Sequence, residues 1–308
     1  MQLYVNHFEE NAVGKSFTPL TWQIINHFSD DGRSVNQQLD DLDERIRSDG
    51  LKYPASNFRL NMINGLDLRP REWGASVGDT AENLIMLGCQ PMLGINEIIS
   101  FCRLVERLGG KYTFLASEYC CGVSMIRIPL YRGDADAHER GLKSAREFIG
   151  MNIANARNLG VKRMYYICPW CVYAAQRFYS DCDIQQKYYL DLVVDLLEER
   201  KPQLHLEEKV AYYQGGQHLR SVYLGDSNWD CDWAAYRSCI DRVERLSVID
   251  MPKICCLVEP DRVKNTIKEK RLTTMVTPCW SCYGYLRMKT PEITVKGLSE
   301  LLLTAMDS

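Results

Sequence analysis

The placement of cysteine constrains this chain more than any other feature. Eight of the 13 cysteines in its 308 residues fall into one arrangement written twice, an adjacent pair followed downstream by a Cys-x-x-Cys, and a ninth precedes the first copy. The first copy is Cys120-Cys121 with Cys168-Pro-Trp-Cys171, preceded by Cys89 at the end of an apolar run; the second is Cys255-Cys256 with Cys279-Trp-Ser-Cys282. Two adjacent thiols and a Cys-x-x-Cys, gathered by a fold, offer four sulfur ligands around one point. That donor set suits a soft metal or an iron–sulfur site. The repeat predicts two such sites.

Composition narrows the classes available. An apolar content of 46% supports sizeable cores, enough for two domains or two similar halves. A net charge of −3 gives no broad basic surface for phosphates, so no nucleic-acid partner is expected. No run reaches the roughly 18 apolar residues of a membrane helix. The N-terminus has neither a basic leader nor an apolar core, so no signal peptide is read and a cytoplasmic protein is expected. Thiols in a reducing compartment are seldom structural disulfides, which again favours metal or redox chemistry.

The reading divides the chain into a mostly helical or irregular extension over 1–82, a first cysteine-rich half over 83–206 and a second over 207–308. In the extension, residues 34–48 fit an amphipathic helix with Val35, Leu39, Leu42 and Ile46 on one side. From 83 the pattern is α/β: a strand at 84–87, a helix at 93–108, a strand at 112–115, a helix at 135–158 and a strand at 164–167 that delivers Cys168. The second half repeats this with a strand at 210–213, a turn at Gly215-Gly216, a helix at 232–246, a strand at 273–277 and a closing helix at 291–306. The fold class expected is therefore α/β, two pseudo-repeated halves with cysteine clusters at strand carboxyl ends, where ligands gather in such sheets.

Local chemistry supports the sites. Clustered thiolates need oriented N–H dipoles, and Pro169 or Pro278 at a helix start leaves first-turn N–H groups free to point at sulfur. Trp170 and Trp280 would shield the sulfurs from water. Gly122, able to take positive φ, would let the chain turn after Cys120-Cys121; Leu257 gives the second pair no such aid. A strained vicinal disulfide is the alternative state of either pair. Cys102, Cys182, Cys231 and Cys239 lie outside the pattern and read as buried free thiols.

Cys89, then Cys120-Cys121-Gly122, then Cys168-x-x-Cys171 resembles the cysteine-rich CCG-domain family that includes heterodisulfide reductase B subunits. The resemblance, over 83–308, implies a non-cubane [4Fe-4S] cluster held by Cys89, Cys120, Cys121, Cys168 and Cys171. In the second half Tyr213 to Leu219 matches a family motif with Gln217 in place of its cysteine. That leaves Cys255, Cys256, Cys279 and Cys282 for a [4Fe-4S] cluster or zinc, with His218 as candidate proton donor. The implied function is an iron–sulfur subunit of a heterodisulfide-reductase-like complex that makes or breaks a sulfur–sulfur bond. Its partners would be a ferredoxin-type subunit, with a flavoprotein as a further candidate, and a small-molecule disulfide or thiol. The competing expectation is a non-catalytic electron-transfer or zinc-stabilised scaffold subunit.

Overall fold

The computed structural model describes residues 75–308 except 89–93, 117, 124, 127–128, 130–132, 216–230 and 257–258, together with residues 37, 40, 43 and 44. In the first half the order is β1 (Ala75–Val77), β2 (Asn83–Met86), α1 (Ile95–Arg107), β3 (Tyr112–Phe114), α2 (Ala135–Asn158), β4 (Arg163–Tyr166), α3 (Pro169–Tyr179), β5 (Gln185–Tyr188) and α4 (Tyr189–Arg200). The second half continues with β6 (Lys209–Tyr212), α5 (Trp233–Asp241), β7 (Ser247–Asp250), α6 (Pro260–Glu269), β8 (Thr274–Thr277), α7 (Trp280–Lys289), β9 (Thr294–Gly297) and α8 (Leu298–Asp307).

The α/β class and the two halves are what the structure shows. All strand pairs are parallel, in the orders β1-β3-β2-β4-β5 and β7-β6-β8-β9. With β2, β3, β4 and β5 matched to β6, β7, β8 and β9, the two sheets have the same order, and β1 adds an edge strand to the first. Parallel neighbours require crossovers, which the helices supply. Central β2, β4, β6 and β8 are largely apolar and buried, whereas edge strands β5 and β9 alternate buried and outward residues.

Several expected elements differ in extent. The closing helix from 291 is instead β9 followed by α8. Ile293, Thr294 and Val295 are β-branched and suit an edge strand, and α8 starts only where Glu300 accepts the Gly297 N–H at 2.7 Å. The helix expected to reach 246 stops at Asp241, and Arg245 adopts a left-handed φ of 64°. Of the helix expected over 34–48, Gln37, Asp40, Asp43 and Glu44 are helical, and its apolar positions lie outside the described residues.

The halves exchange helices. The first helix of each packs on the last helix of the other, α1 on α8 and α5 on α4. One core runs across the boundary, joining Leu84, Ile98, Phe101 and Tyr189 with Val276, Trp280, Leu298 and Leu301. The two seams differ in chemistry. In the first, the fully buried Glu97 of α1 accepts from Ser299 N (3.0 Å), Glu300 N (3.1 Å) and the Tyr189 hydroxyl (2.8 Å), so a carboxylate satisfies first-turn donors of α8. In the second, the Tyr236 hydroxyl of α5 donates to Asp191 (2.5 Å), which also accepts the Tyr188 N–H at the start of α4.

Candidate functional site

Each half brings together three thiols at the carboxyl ends of its central strands. Cys168 follows β4 and begins α3, and Cys279 follows β8 and begins α7. The Cys171 thiol is hydrogen-bonded with Cys121 and Cys168, and the Cys282 thiol with Cys256 and Cys279. The doubled sequence pattern is therefore a doubled thiol triad. Cys120 and Cys255 are also buried.

A glycine roofs each triad. Gly88 (φ +75°) and Gly215 (φ +65°) sit just past β2 and β6, and each faces the two cysteines of its half's motif. A Cβ on Gly215 would lie 2.5 Å from the Cys282 sulfur, against 3.5 Å between a Cβ on Gly88 and the Cys171 sulfur. Left-handed φ and close approach both call for glycine here. The pairings Ile85 with Tyr165 and Tyr212 with Val276 put Gly88 and Gly215 in the same register. One residue further, by sequence, Cys89 corresponds to Gly216 rather than to Gln217.

The loop carrying each adjacent pair is fastened differently. In the first half, buried Glu118 accepts from Leu87 N (3.1 Å) and Gly88 N (3.2 Å), tying the Cys120-Cys121 loop to the glycine roof. In the second, Tyr213 does this with a phenol: its hydroxyl accepts from Cys256 N (2.7 Å) and donates to the Ile254 carbonyl (2.8 Å). Gly122 takes the left-handed φ expected after the first pair, +67°, while Leu257 lies outside the described residues.

Hydrogen bonds to Cys121 and Cys168, then burial, hold the Cys171 proton well above the usual thiol range; Cys256, Cys279 and burial do the same for Cys282. Tyr166 beside the first triad is pushed up by burial first, and by charge on Cys171, Cys121 and Glu118. Neither Cys168 nor Cys279 caps its helix through sulfur, and the Trp280 N–H goes to the Tyr188 hydroxyl at 3.1 Å. Trp170 and Trp280 are buried as expected. Access differs between triads: Cys168 is half-buried, whereas Cys256, Cys279 and Cys282 are 1%, 0% and 2% exposed.

Cys89, Gln217 and His218 lie outside the described residues. All described cysteines are free thiols, so neither adjacent pair forms a vicinal disulfide. Cys102 and Cys239 are buried and pushed up to about 12 and about 11 by burial; Cys231 is buried, and Cys182 is half-buried beside Asp183. Glu118 and Tyr188 escaped the sequence reading. The one available signal for Glu118 was an acidic residue two positions before the cysteine pair. A groove of about 500 Å³ lined by Asn96, Ser100, Arg287, Lys296, Glu300 and Asp307 has no cysteine in its wall.

No family model matches the chain, and no curated protein does. Among solved structures it is similar to a candidate Asp/Glu racemase from Yersinia pestis, with 12% identity over 76% of this chain and 98% of that one and a TM-score of 0.33. It is also similar to the Picrophilus torridus aspartate racemase (12% identity, 74% and 92% coverage, TM-score 0.34). A third is an aspartate racemase homologue from Pyrococcus horikoshii (10%, 73% and 96%, TM-score 0.29). Likeness at these scores carries no argument about shared activity.

These findings correct the expected chemistry. No family model and no curated protein matches to support the CCG-domain resemblance. Among the described residues no group of three or more His, Cys, Asp or Glu side chains is placed to hold a metal ion. The thiols instead meet one another, Cys171 with Cys121 and Cys168, and Cys282 with Cys256 and Cys279. The [4Fe-4S] and zinc cofactors are therefore withdrawn; they had been expected on Cys120, Cys121, Cys168, Cys171, Cys255, Cys256, Cys279 and Cys282 among the described residues and on Cys89, which lies outside them. So are the heterodisulfide-reductase-like activity and the electron-transfer or zinc-scaffold alternative; a ferredoxin-type or flavoprotein partner loses the rationale they supplied. Among the described residues, no helix is long and apolar enough to cross a membrane.

Proposed function

We propose that the chain is a thiol-dependent acid–base enzyme whose working centre is the Cys121–Cys171–Cys168 triad, acting on a small carbon acid. The observation that carries this reading is the Cys171 thiol held between two others, its proton retained by both hydrogen bonds and by burial. A thiol that stays protonated donates to whichever neighbour ionises, so one centre holds a base and a proton donor together. Thiols in mutual contact address one face of a substrate. They can take a proton from carbon and return it at a neighbouring atom of that face, which is a proton shift. Inversion at a single carbon needs groups on opposite faces, and one triad cannot supply them.

Half-buried Cys168 makes the first triad the reachable one, and the sealed second triad is its pseudo-equivalent. The test is solvent deuterium uptake, followed by NMR, across a panel of small hydroxy, keto and amino acids. Uptake by the parent protein and a loss of about 100-fold or more in Cys171→Ser and Cys121→Ser are expected. Absence of uptake, or uptake indifferent to both substitutions, would overturn the proposal.

A further inference from the structure

Tyr188 belongs to the first half, at the end of β5, yet its hydroxyl is spent on the second. It donates to the Pro278 carbonyl at 3.0 Å and accepts the Trp280 N–H at 3.1 Å. Those two groups flank Cys279. The Tyr188 backbone is fixed by pairing with Tyr166, and its ring is wedged between Tyr189 (4.7 Å), Tyr236 (5.8 Å) and Trp233 (6.1 Å). The side chain is fully buried, so the hydroxyl cannot exchange these partners for water. The corresponding strand-end position of the second half is Gly297, which has no side chain to return the contact.

We infer that Tyr188 is a positioning residue through which the first half sets the place of Cys279, and with it the geometry of the second thiol triad. Its two hydrogen bonds hold the peptide groups on either side of Cys279 against a strand of the other half. After burial itself, charge on Cys279, then on Cys231 and on Cys168, raises the Tyr188 phenol, and the Trp280 N–H lowers it.

The inference rests on reading the triads as thiol centres, but its test reads thiol accessibility rather than proton transfer, so either can fail alone. Site-resolved iodoacetamide labelling by mass spectrometry would compare Tyr188→Phe with Tyr236→Phe, which removes a buried hydroxyl from the same aromatic cluster without touching Pro278 or Trp280. Tyr188→Phe should raise Cys279 labelling about tenfold, as expected for loss of a buried hydrogen bond, and leave Cys168 within about twofold. Tyr236→Phe should leave Cys279 unchanged. Equal exposure of Cys279 in both variants, or none in Tyr188→Phe, would overturn the inference. If Tyr188→Phe does not fold, hydrogen exchange in the parent decides: the Trp280 amide should open together with β5 of the first half, and exchange with the α7 amides alone would sink the idea.

Discussion

The two thiol triads are built on the same strand order and on the same register of glycine and cysteine, yet they are fastened and exposed differently. The first is tied to its glycine roof by a carboxylate, Glu118, and reaches solvent at Cys168. The second is tied by a phenol, Tyr213, and is sealed, with Cys279 fully buried. Gene-like repetition of a fold does not require repetition of a site. What diverges is the polar group that holds the loop and the room left above the sulfurs, and these decide whether a small molecule can approach.

The roof glycines give the largest test of that comparison. Gly215→Ala would push a methyl into the Cys279–Cys282 pair as well as strain the left-handed backbone, a cost of about 3–5 kcal/mol, whereas Gly88→Ala should cost about 1–2 kcal/mol from backbone alone. Urea titration of both variants measures the difference, and equal losses would mean the two roofs are equally tight. The loop fasteners come next. Glu118→Ala strands two buried N–H groups and should cost about 2–4 kcal/mol; Tyr213→Phe strands one N–H and one carbonyl, which keeps a second lone pair and is the cheaper group to leave unmet, and should cost about 1–3 kcal/mol. A larger loss in Tyr213→Phe would reverse the assignment of the stronger fastener.

The seams between the halves add a pH dependence. Burial, then the charge of Glu300, lifts Glu97 from 4.5 to about 7, and burial lifts Asp191 from 3.8 to about 6. A carboxyl with a raised folded pKa binds its proton more tightly in the folded state. Its contribution is complete below the unfolded pKa and is lost as pH rises through the folded one. Stability should therefore fall between about pH 4.5 and 7 through Glu97, by about 2–3 kcal/mol, and between about pH 3.8 and 6 through Asp191. Chemical denaturation across pH should show Glu97→Gln flattening the first window and Asp191→Asn the second; a Glu97→Gln curve parallel to the parent would refute the linkage. The smallest effect is expected at the exposed Arg107–Asp307 pair across the α1/α8 seam, where Arg107→Ala should change stability by about 0.5 kcal/mol or less. A larger loss would show that the seam depends on surface charge more than on its apolar core.

Much of this architecture was legible in the chain. The helix over 135–158 and the strands ending in Cys168 and Cys279 follow from periodicity and from turn residues. The short edge strands were not, because β9 reads as Thr-Val-Lys-Gly and only pairing beside β8 makes it a strand. At the site, six of the cysteines named by spacing meet in two groups of three, but spacing along a chain cannot say whether sulfurs converge on an ion or on one another. Glu118, Tyr188 and Glu97 escaped for a related reason. A single acidic or aromatic residue carries no periodic signal, and its role appears only when a distant backbone group arrives beside it.

Sequence alone therefore determined the α/β class, the doubling and the identity of the thiols, since hydrophobic period and cysteine placement are local records of which face is buried and which strand end carries chemistry. Tertiary structure decided the rest: that the thiols bond to one another, that a carboxylate fastens one loop and a phenol the other, and that Tyr188 reaches from one half into the other. Apart from the contacts inside each Cys-x-x-Cys, these join residues 26 to 92 positions apart, such as Cys256 with Cys282 and Trp280 with Tyr188. Their energies depend on burial and angle, which no stretch of chain specifies until the fold has closed around them.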